Sequence, residues 1–350
     1  MLNSQIQIKE SIDQFGLFPG TRYMGSKNKI ISEIWEVLED IDFDSFLDVF
    51  AGSNVVSYFM KARNKKVITN DFMSISYYFA KAIVENSSTT LNDDDLNFVL
   101  ENPSKESFIS ETFKDLYFTD QENNFLDKVR ANIELIDDDY KRAIGISALV
   151  RACMKKRPRG IFTFVGQRYD DGRKDIRKSL RDHFIDNVRH FNSAVFNNGR
   201  ICQANNKLGQ ELNKNADLVY LDPPYYSPKS DNDYVRRYHF VEGLAKNWKN
   251  LKIQQHTITK KFKSYPSPFS KRESTYVAFH ALLKRYKDSV VAISYSSNSI
   301  PTKEELTNIL REYKDTVEIY EIDYRYSFGN QNHKIGNKSN KVKEYLFIGK

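Results

Sequence analysis

Phe46-Leu47-Asp48-Val49-Phe50-Ala51-Gly52-Ser53-Asn54 begins as a short apolar run and stops at a glycine turn, and the set Val55, Val56, Phe59 and Met60 then restarts with a helical period. The spacing predicts a buried strand over 46–50 that feeds a helix. Downstream, 66–69 reads as a second strand ending in Asn70-Asp71, followed by an aromatic-rich helix over about 73–84. Upstream, Ile30, Ile34, Trp35 and Leu38 recur at helical spacing after Ser26 and Asn28, which predicts a helix over 28–39. Strand, turn, helix, strand, helix is the order of a doubly wound α/β sheet with parallel strands.

From about 86 to 198 the texture changes to long polar and helical stretches without strand alternation, as expected of an inserted helical domain. The division read from sequence is therefore 1–86 with 199–350 for the sheet domain, and 87–198 for the insert. Strand texture returns at 200–203, 218–221, 289–294 and 316–322. Residues 324–328 and 344–348 read as two antiparallel strands closing the sheet edge. Residues 251–272, rich in Lys, Ser and Pro, read as a mobile loop. No internal repeat is present.

The chain of 350 residues carries 53 Lys+Arg against 46 Asp+Glu, a formal charge of +7. That excess suits a phosphate-bearing partner, and equally suits mere solubility. Its two cysteines, Cys153 and Cys202, supply neither a disulfide framework nor the paired spacing of a zinc site, so a reducing compartment and no metal are expected. The polar start of the chain and the lack of any apolar run near the ~18 residues of a membrane span predict a soluble, cytoplasmic protein that meets no membrane. Aromatics are plentiful, with 24 Phe and 21 Tyr, and bases stack on flat rings.

The strongest chemical signal is Leu221-Asp222-Pro223-Pro224-Tyr225, directly after the apolar run 218–221. Ligands of such sheets bind outside the carboxyl ends of strands, where this tetrapeptide must lie. Asp222 can accept a hydrogen bond from an exocyclic amino group, and the Pro223 carbonyl, with no N–H on Pro224 to compete, can accept another. The Tyr225 ring can stack on an extruded base. The plainer alternative is a Pro-rich turn with an ordinary Asp cap. The turn at Ala51-Gly52-Ser53 lets backbone approach a ligand closely, yet it lacks the three-glycine spacing of a dinucleotide fingerprint, which counts against a nicotinamide enzyme. Asp71, 19 positions after Gly52, stands where an acid would take ribose hydroxyls, or where it would cap a helix.

Arg22-Tyr23-Met24-Gly25-Ser26-Lys27, Asp48-Val49-Phe50-Ala51-Gly52-Ser53 and Asp222-Pro223-Pro224-Tyr225 occur in the order seen in Dam-like, alpha-class DNA adenine N6-methyltransferases, and the chain resembles that family over nearly its whole length. The resemblance implies a mixed seven-stranded, Rossmann-like methyltransferase sheet, S-adenosyl-L-methionine as cofactor, double-stranded DNA as partner, and methylation of an extruded adenine. By position, Tyr23, Gly25, Ser26 and Lys27 would hold the methionine end of the cofactor, Lys27 facing its carboxylate. Asp48 would meet the α-amino group, Phe50, Ala51, Gly52 and Ser53 would pass beneath the cofactor, and Asp71 would bind the ribose. Two positions depart from the pattern. The family's usual second glycine of the first motif is Asn54, and Gln203-Ala204-Asn205 replaces a strand end that commonly carries an acid, leaving Asn205 to offer an uncharged hydrogen bond to the cofactor adenine.

On this reading Asp222, Pro223, Pro224 and Tyr225 are catalytic, with Asp222 also bordering the cofactor. The amino nitrogen of adenine is a poor nucleophile, and two acceptors aimed at its hydrogens favour direct in-line transfer. His239 is read as structural. Tyr226, Tyr234, Tyr238 or Phe240 would close the second face of the base pocket. Lys155, Lys156, Arg157, Arg159, Arg168, Arg173 and Arg177 would supply phosphate and base-edge contacts from the insert, together with Tyr226 and Tyr238. Lys260, Lys261, Lys263, Lys271 and Arg272 form a candidate second clamp. The protein would act as a monomer, and a restriction endonuclease acting on the same site is a candidate partner. The rivals are a cytosine-N4 or RNA-adenine methyltransferase of the same fold, and a DNA-binding module with a vestigial cofactor pocket.

Overall fold

The computed structural model describes residues 14–166, 174–228, 232–265, 267–325 and 341–350. The chain divides into two compact units. One comprises Ser26–Phe72, Arg200–Asp233 and Pro266–Lys350, and the other the described residues of Met1–Gly25, Met73–Gly199 and Tyr234–Tyr265.

The first unit is built on a seven-stranded mixed sheet. Its strands are β1 (Ser45–Asp48), β2 (Lys66–Asn70), β3 (Gln203–Asn205), β4 (Leu218–Leu221), β5 (Val290–Ser296), β6 (Val317–Arg325) and β7 (Lys341–Gly349), in the order β3-β2-β1-β4-β5-β7-β6. The first five pair in parallel, and β7 runs antiparallel between β5 and β6. All four residues of β4 are buried, as a central strand covered on both faces requires, which is why 218–221 reads as continuous apolar sequence rather than alternation. Leu47, Val49, Val219, Leu221, Val291 and Ile293 pack with Phe279, Leu282 and Leu283 of the helix Arg272–Arg285 and Leu306 and Leu310 of the helix Lys303–Arg311. The latter helix starts in a reciprocal capping box between Thr302 and Glu305. The sheet thus has the doubly wound, Rossmann-like form, with its strand order reversing between β1 and β4. Their carboxyl ends therefore frame the crevice where such sheets bind ligands.

The second unit is helical. Its longest helix, Asp139–Lys156, is buried at every position from Ala143 to Met154, as expected of a helix surrounded on all sides. Asn92, Thr119, Asp138 and Ser179 cap the helices that follow them with their own side chains.

Three sequence expectations change. Residues 316–322 and 324–328 were separate strands by texture; the described part is one strand, β6, and it rather than β7 forms the sheet edge. The segment 251–272, expected as a loop, contains a bridge between Ile253 and Phe262 and the single turn Pro268–Ser270 before its helix. The unit boundaries also differ, since 14–25, 73–86 and 234–265 join the helical unit rather than the sheet domain. Buried Glu242 explains much of this: its two carboxylate oxygens accept the N–H groups of Ser74 (2.9 Å) and Ile75 (3.0 Å), the orphan donors at the start of the helix Ser74–Ala80. Arg130 adds a bond to the Leu244 carbonyl at 2.7 Å.

Candidate active site

At the carboxyl end of β1 the chain turns through Gly52 (φ 50°) and Asn54 (φ 63°) into the helix Val55–Ala62. Both residues are left-handed, a conformation open to Gly and tolerated by Asn, so Asn54 in place of a second glycine keeps the turn. Asn54 is fully buried and accepts a bond from the Thr69 hydroxyl at 3.2 Å. The Asp71 carboxylate closes the same turn, its Oδ2 accepting the Gly52 N–H at 2.8 Å. It does not cap the next helix, whose N-cap is Met73. Ser26 and Ser53 lie hydroxyl to hydroxyl at 3.0 Å, fastening the segment after Gly25 to the turn. Phe50 meets the Phe269 ring edge-on at 5.4 Å. Gly209 is a close-approach glycine: a Cβ there would come within 2.9 Å of both Val49 and Phe50.

Asp48, at the end of β1, is buried, and Ser57 donates to its Oδ2 at 2.7 Å. Burial, opposed by that hydroxyl and reinforced by the charges of Asp222 and Asp71, pushes its carboxyl up to about 7. Its Oδ1 is buried without a hydrogen-bond partner among the described residues, which suits a cationic donor arriving from outside the protein. Asn205 ends β3, and its side-chain amide donates to the Thr69 carbonyl at 3.2 Å.

Directly after β4, Asp222 is gripped by Lys27, whose Nζ lies 2.8 Å from Oδ1 and 2.7 Å from Oδ2. Lys27 is buried, while Asp222 keeps 16% of its side chain exposed, enough to meet a ligand. Burial pushes the Asp222 carboxyl up to about 6 against the pull of Lys27, with Glu344 raising it further. The Tyr225 hydroxyl lies within hydrogen-bond reach of two acceptors, Asp222 Oδ1 at 2.8 Å and Glu344, its ring meets Tyr295 edge-on at 5.0 Å, and the Lys27 ammonium sits 5.0 Å from the ring centre. Pro223 is buried, and Tyr226 is half-buried with its carbonyl accepting Ile300 N–H at 2.9 Å.

The sheet unit therefore brings Ser26, Lys27, Asp48, Phe50, Ala51, Gly52, Ser53, Asp71 and Asn205 to the carboxyl ends of β1, β2 and β3, and Asp222 to Tyr225 to that of β4. Lys27 differs from expectation: its ammonium is engaged by Asp222 and Glu344 rather than held out for a cofactor carboxylate. Glu344, on β7, was not picked out from sequence; a lone acid in an apolar strand was its only mark.

The remaining candidates belong to the helical unit. Tyr23 stacks on Tyr238 at 5.1 Å and on Tyr234 at 5.8 Å, and Gly25 is left-handed at φ 76°. Tyr238 is a correction, because it is fully buried and accepts Met24 N–H at 2.8 Å, a packing role. Arg157 is another: it is 2% exposed and its guanidinium donates to the carbonyls of Phe164 (2.6 Å) and Gly166 (3.1 Å), so it braces its own loop. Lys156 is drawn inward by Glu122 at 2.8 Å and by the carbonyls of Ile176 and Lys178. Arg159 and Arg177 are exposed and Lys155 half-exposed, whereas Arg168 and Arg173 lie outside the described residues. His239 is buried with Nε2 at 3.0 Å from the Phe162 carbonyl, and burial lowers it to about 4, so it is neutral and structural.

The profile of the D12 class N6 adenine-specific DNA methyltransferases matches residues 23–327. Among curated proteins, the chain is 32% identical to the Type II methyltransferase M2.HphI of Haemophilus parahaemolyticus, over 95% of this chain and 97% of that one. It is 26% identical to the modification methylase StsI of Streptococcus sanguinis over 93% of its length, spanning 51% of that protein. It is 24% identical to the Type II methyltransferase M.CviAII of Paramecium bursaria Chlorella virus 1 over 93% of its own length and 97% of that one. With the site assembled at the carboxyl ends of β1 and β4, and a match running through both signature turns, the chain belongs to the D12 class N6 adenine-specific DNA methyltransferase family.

Proposed function

We propose that this adenine-specific DNA methyltransferase takes its methyl group from S-adenosyl-L-methionine and places it on N6 of an adenine extruded from duplex DNA. The observation that carries the reading is the Asp222 carboxylate, held at the switch point of the sheet with both of its oxygens against the Lys27 ammonium. The sulfonium of the bound cofactor supplies an electrophilic methyl. Asp48 Oδ1 would receive the cofactor's α-ammonium, the turn Ala51 to Ser53 would lie beneath it with Phe50 and Ser26, and Asp71 and Asn205 would take its nucleoside. Asp222 and the Pro223 carbonyl accept the two amino hydrogens. That makes the nitrogen more tetrahedral and stabilises the positive charge that grows there as the N–CH3 bond forms and the S–CH3 bond breaks; the demethylated thioether would leave, and one amino proton would pass to water. A base stacking on Tyr225 would use the face opposite the Lys27 ammonium, offsetting an extrusion cost on the order of a few kcal/mol.

Lys155, Arg159 and Arg177 would meet phosphates, joined by Tyr226 and by Arg168 and Arg173. The names of the similar proteins support a place in a Type II restriction-modification system, with an endonuclease reading the same site. We further infer a monomer working in the cytoplasm; no helix among the described residues is long and apolar enough to cross a membrane.

The test is methyl incorporation from S-adenosyl-L-methionine into duplex DNA and RNA, with the modified base identified by mass. N6-methyladenine in duplex DNA, abolished in Asp222→Ala while cofactor and DNA binding survive, is the expected result. Modified cytosine or RNA, or an active Asp222→Ala enzyme, would overturn it.

A further inference from the structure

Glu344 lies at the centre of the charged groups around Asp222. It is 2% exposed, pairs across the ladder with Ser296 of β5, and its Oε1 accepts from Ser294 at 2.7 Å, from Lys27 at 3.4 Å and from the Tyr225 hydroxyl. The Tyr225 hydroxyl has one proton and two acceptors, Asp222 and Glu344. Lys27 is likewise divided between the same two carboxylates. Two acids against one ammonium leave a negative cluster where solvent scarcely reaches.

We propose that Glu344 is a positioning residue for methyl transfer: by taking the Tyr225 proton and a share of Lys27, it leaves the Asp222 carboxylate a strong acceptor for the adenine amino group. The proposal rests on the reading of Asp222 as that acceptor. Without Glu344 the Tyr225 hydroxyl and the Lys27 ammonium lose one of the two carboxylates they share among the described residues and turn further toward Asp222, so that lone pairs meant for the amino hydrogens are spent inside the protein. The second negative charge also stabilises the cation growing on the nitrogen, an effect magnified by exclusion of water.

Among the described residues, the charged and titratable groups around Asp222 are Lys27, Glu344, Tyr225, Tyr220 and Asp48. Of these, Glu344 acts on Asp222 as a like charge that disfavours ionisation. Glu344→Gln removes that charge and keeps the shape, so the acid limb of kcat moves to lower pH. A packing role alone would leave it in place. Measured across pH on duplex DNA, Glu344→Gln is expected to lower the plateau kcat by roughly tenfold to a hundredfold, with KM for DNA near wild type. Unchanged kcat, or an unmoved limb, would overturn the proposal. Asp222→Ala, assayed alongside, separates the two claims. If it is inactive while Glu344→Gln behaves as wild type, only the role of Glu344 fails; if it is active, the reading of Asp222 fails. Should Glu344→Gln not fold, Glu344→Asp keeps the charge and withdraws the oxygen from Tyr225. A lowered kcat with an unmoved limb is then expected, and wild-type kcat would overturn the proposal.

Discussion

Lys27 is the only cation the described structure places on the Asp222 carboxylate, at 2.7 Å and 2.8 Å. A carboxyl raised to about 6 is mostly ionised at pH 7.5 and mostly protonated at pH 5, and only the ionised form has both oxygens free of protons to accept from the amino group. The acid limb of kcat is therefore expected near pH 6. Lys27→Met removes the positive charge that favours ionisation, so the Asp222 pKa rises and the limb moves to higher pH, opposite in sign to Glu344→Gln. A pH profile of kcat for both variants checks this, and a Lys27→Met limb at or below the wild-type position would remove Lys27 from the role. Asp222, Asp48, Gly52 and Asp71 stand out in the sequence because each lies at or just beyond the end of a strand whose apolar run announces it. Glu344 was not, because what makes it significant is the pairing of β7 with β5, which joins residues nearly fifty positions apart.

At the scale of elements, the strand-turn-helix reading of 46–62 holds because its signals are local: an apolar run, a left-handed turn, then a helical period. What sequence missed is non-local. Nothing in 317–325 and 341–349 states that the later strand lies inside the earlier one, since that order follows from β7 returning antiparallel between β5 and β6. The turn itself offers a test. Asn54 combines φ 63° with full burial, a bond from Thr69 and a long bond to the Gly52 carbonyl, so Asn54→Gly keeps the backbone and loses these side-chain hydrogen bonds. It should cost about 1 kcal/mol, whereas Asn54→Val forces a β-branched side chain into the left-handed region and should cost about 3 kcal/mol or more. Urea midpoints at unchanged slope measure both, and equal losses would show that backbone conformation is not what Asn54 supplies.

Across the whole molecule, the division into a sheet unit and a helical unit was legible in outline, because strand texture stops near 86 and resumes near 200. Its boundaries were not, because the helix Tyr234–Ala245 follows the tetrapeptide Asp222–Tyr225 in sequence yet buries Glu242 against the start of Ser74–Ala80. The basic run 155–159 shows the same limit: composition marks it as one cluster, and folding divides it into inward and outward members. Arg157 is buried on backbone carbonyls, while Arg177, further along, is exposed. The two should therefore fail in different ways when truncated. Arg177→Ala is expected to leave the melting temperature unchanged, to weaken DNA binding evenly across sequences, and to reduce the slope of log affinity against log salt by about 1, the loss of one phosphate contact. Arg157→Ala removes a buried donor from two half-buried carbonyls and should destabilise the fold by roughly 1–3 kcal/mol. Its salt slope should stay at the wild-type value wherever the protein remains folded. Salt-dependent binding titrations paired with thermal melts distinguish the two, and a reduced slope in Arg157→Ala with normal stability would move Arg157 back to the DNA.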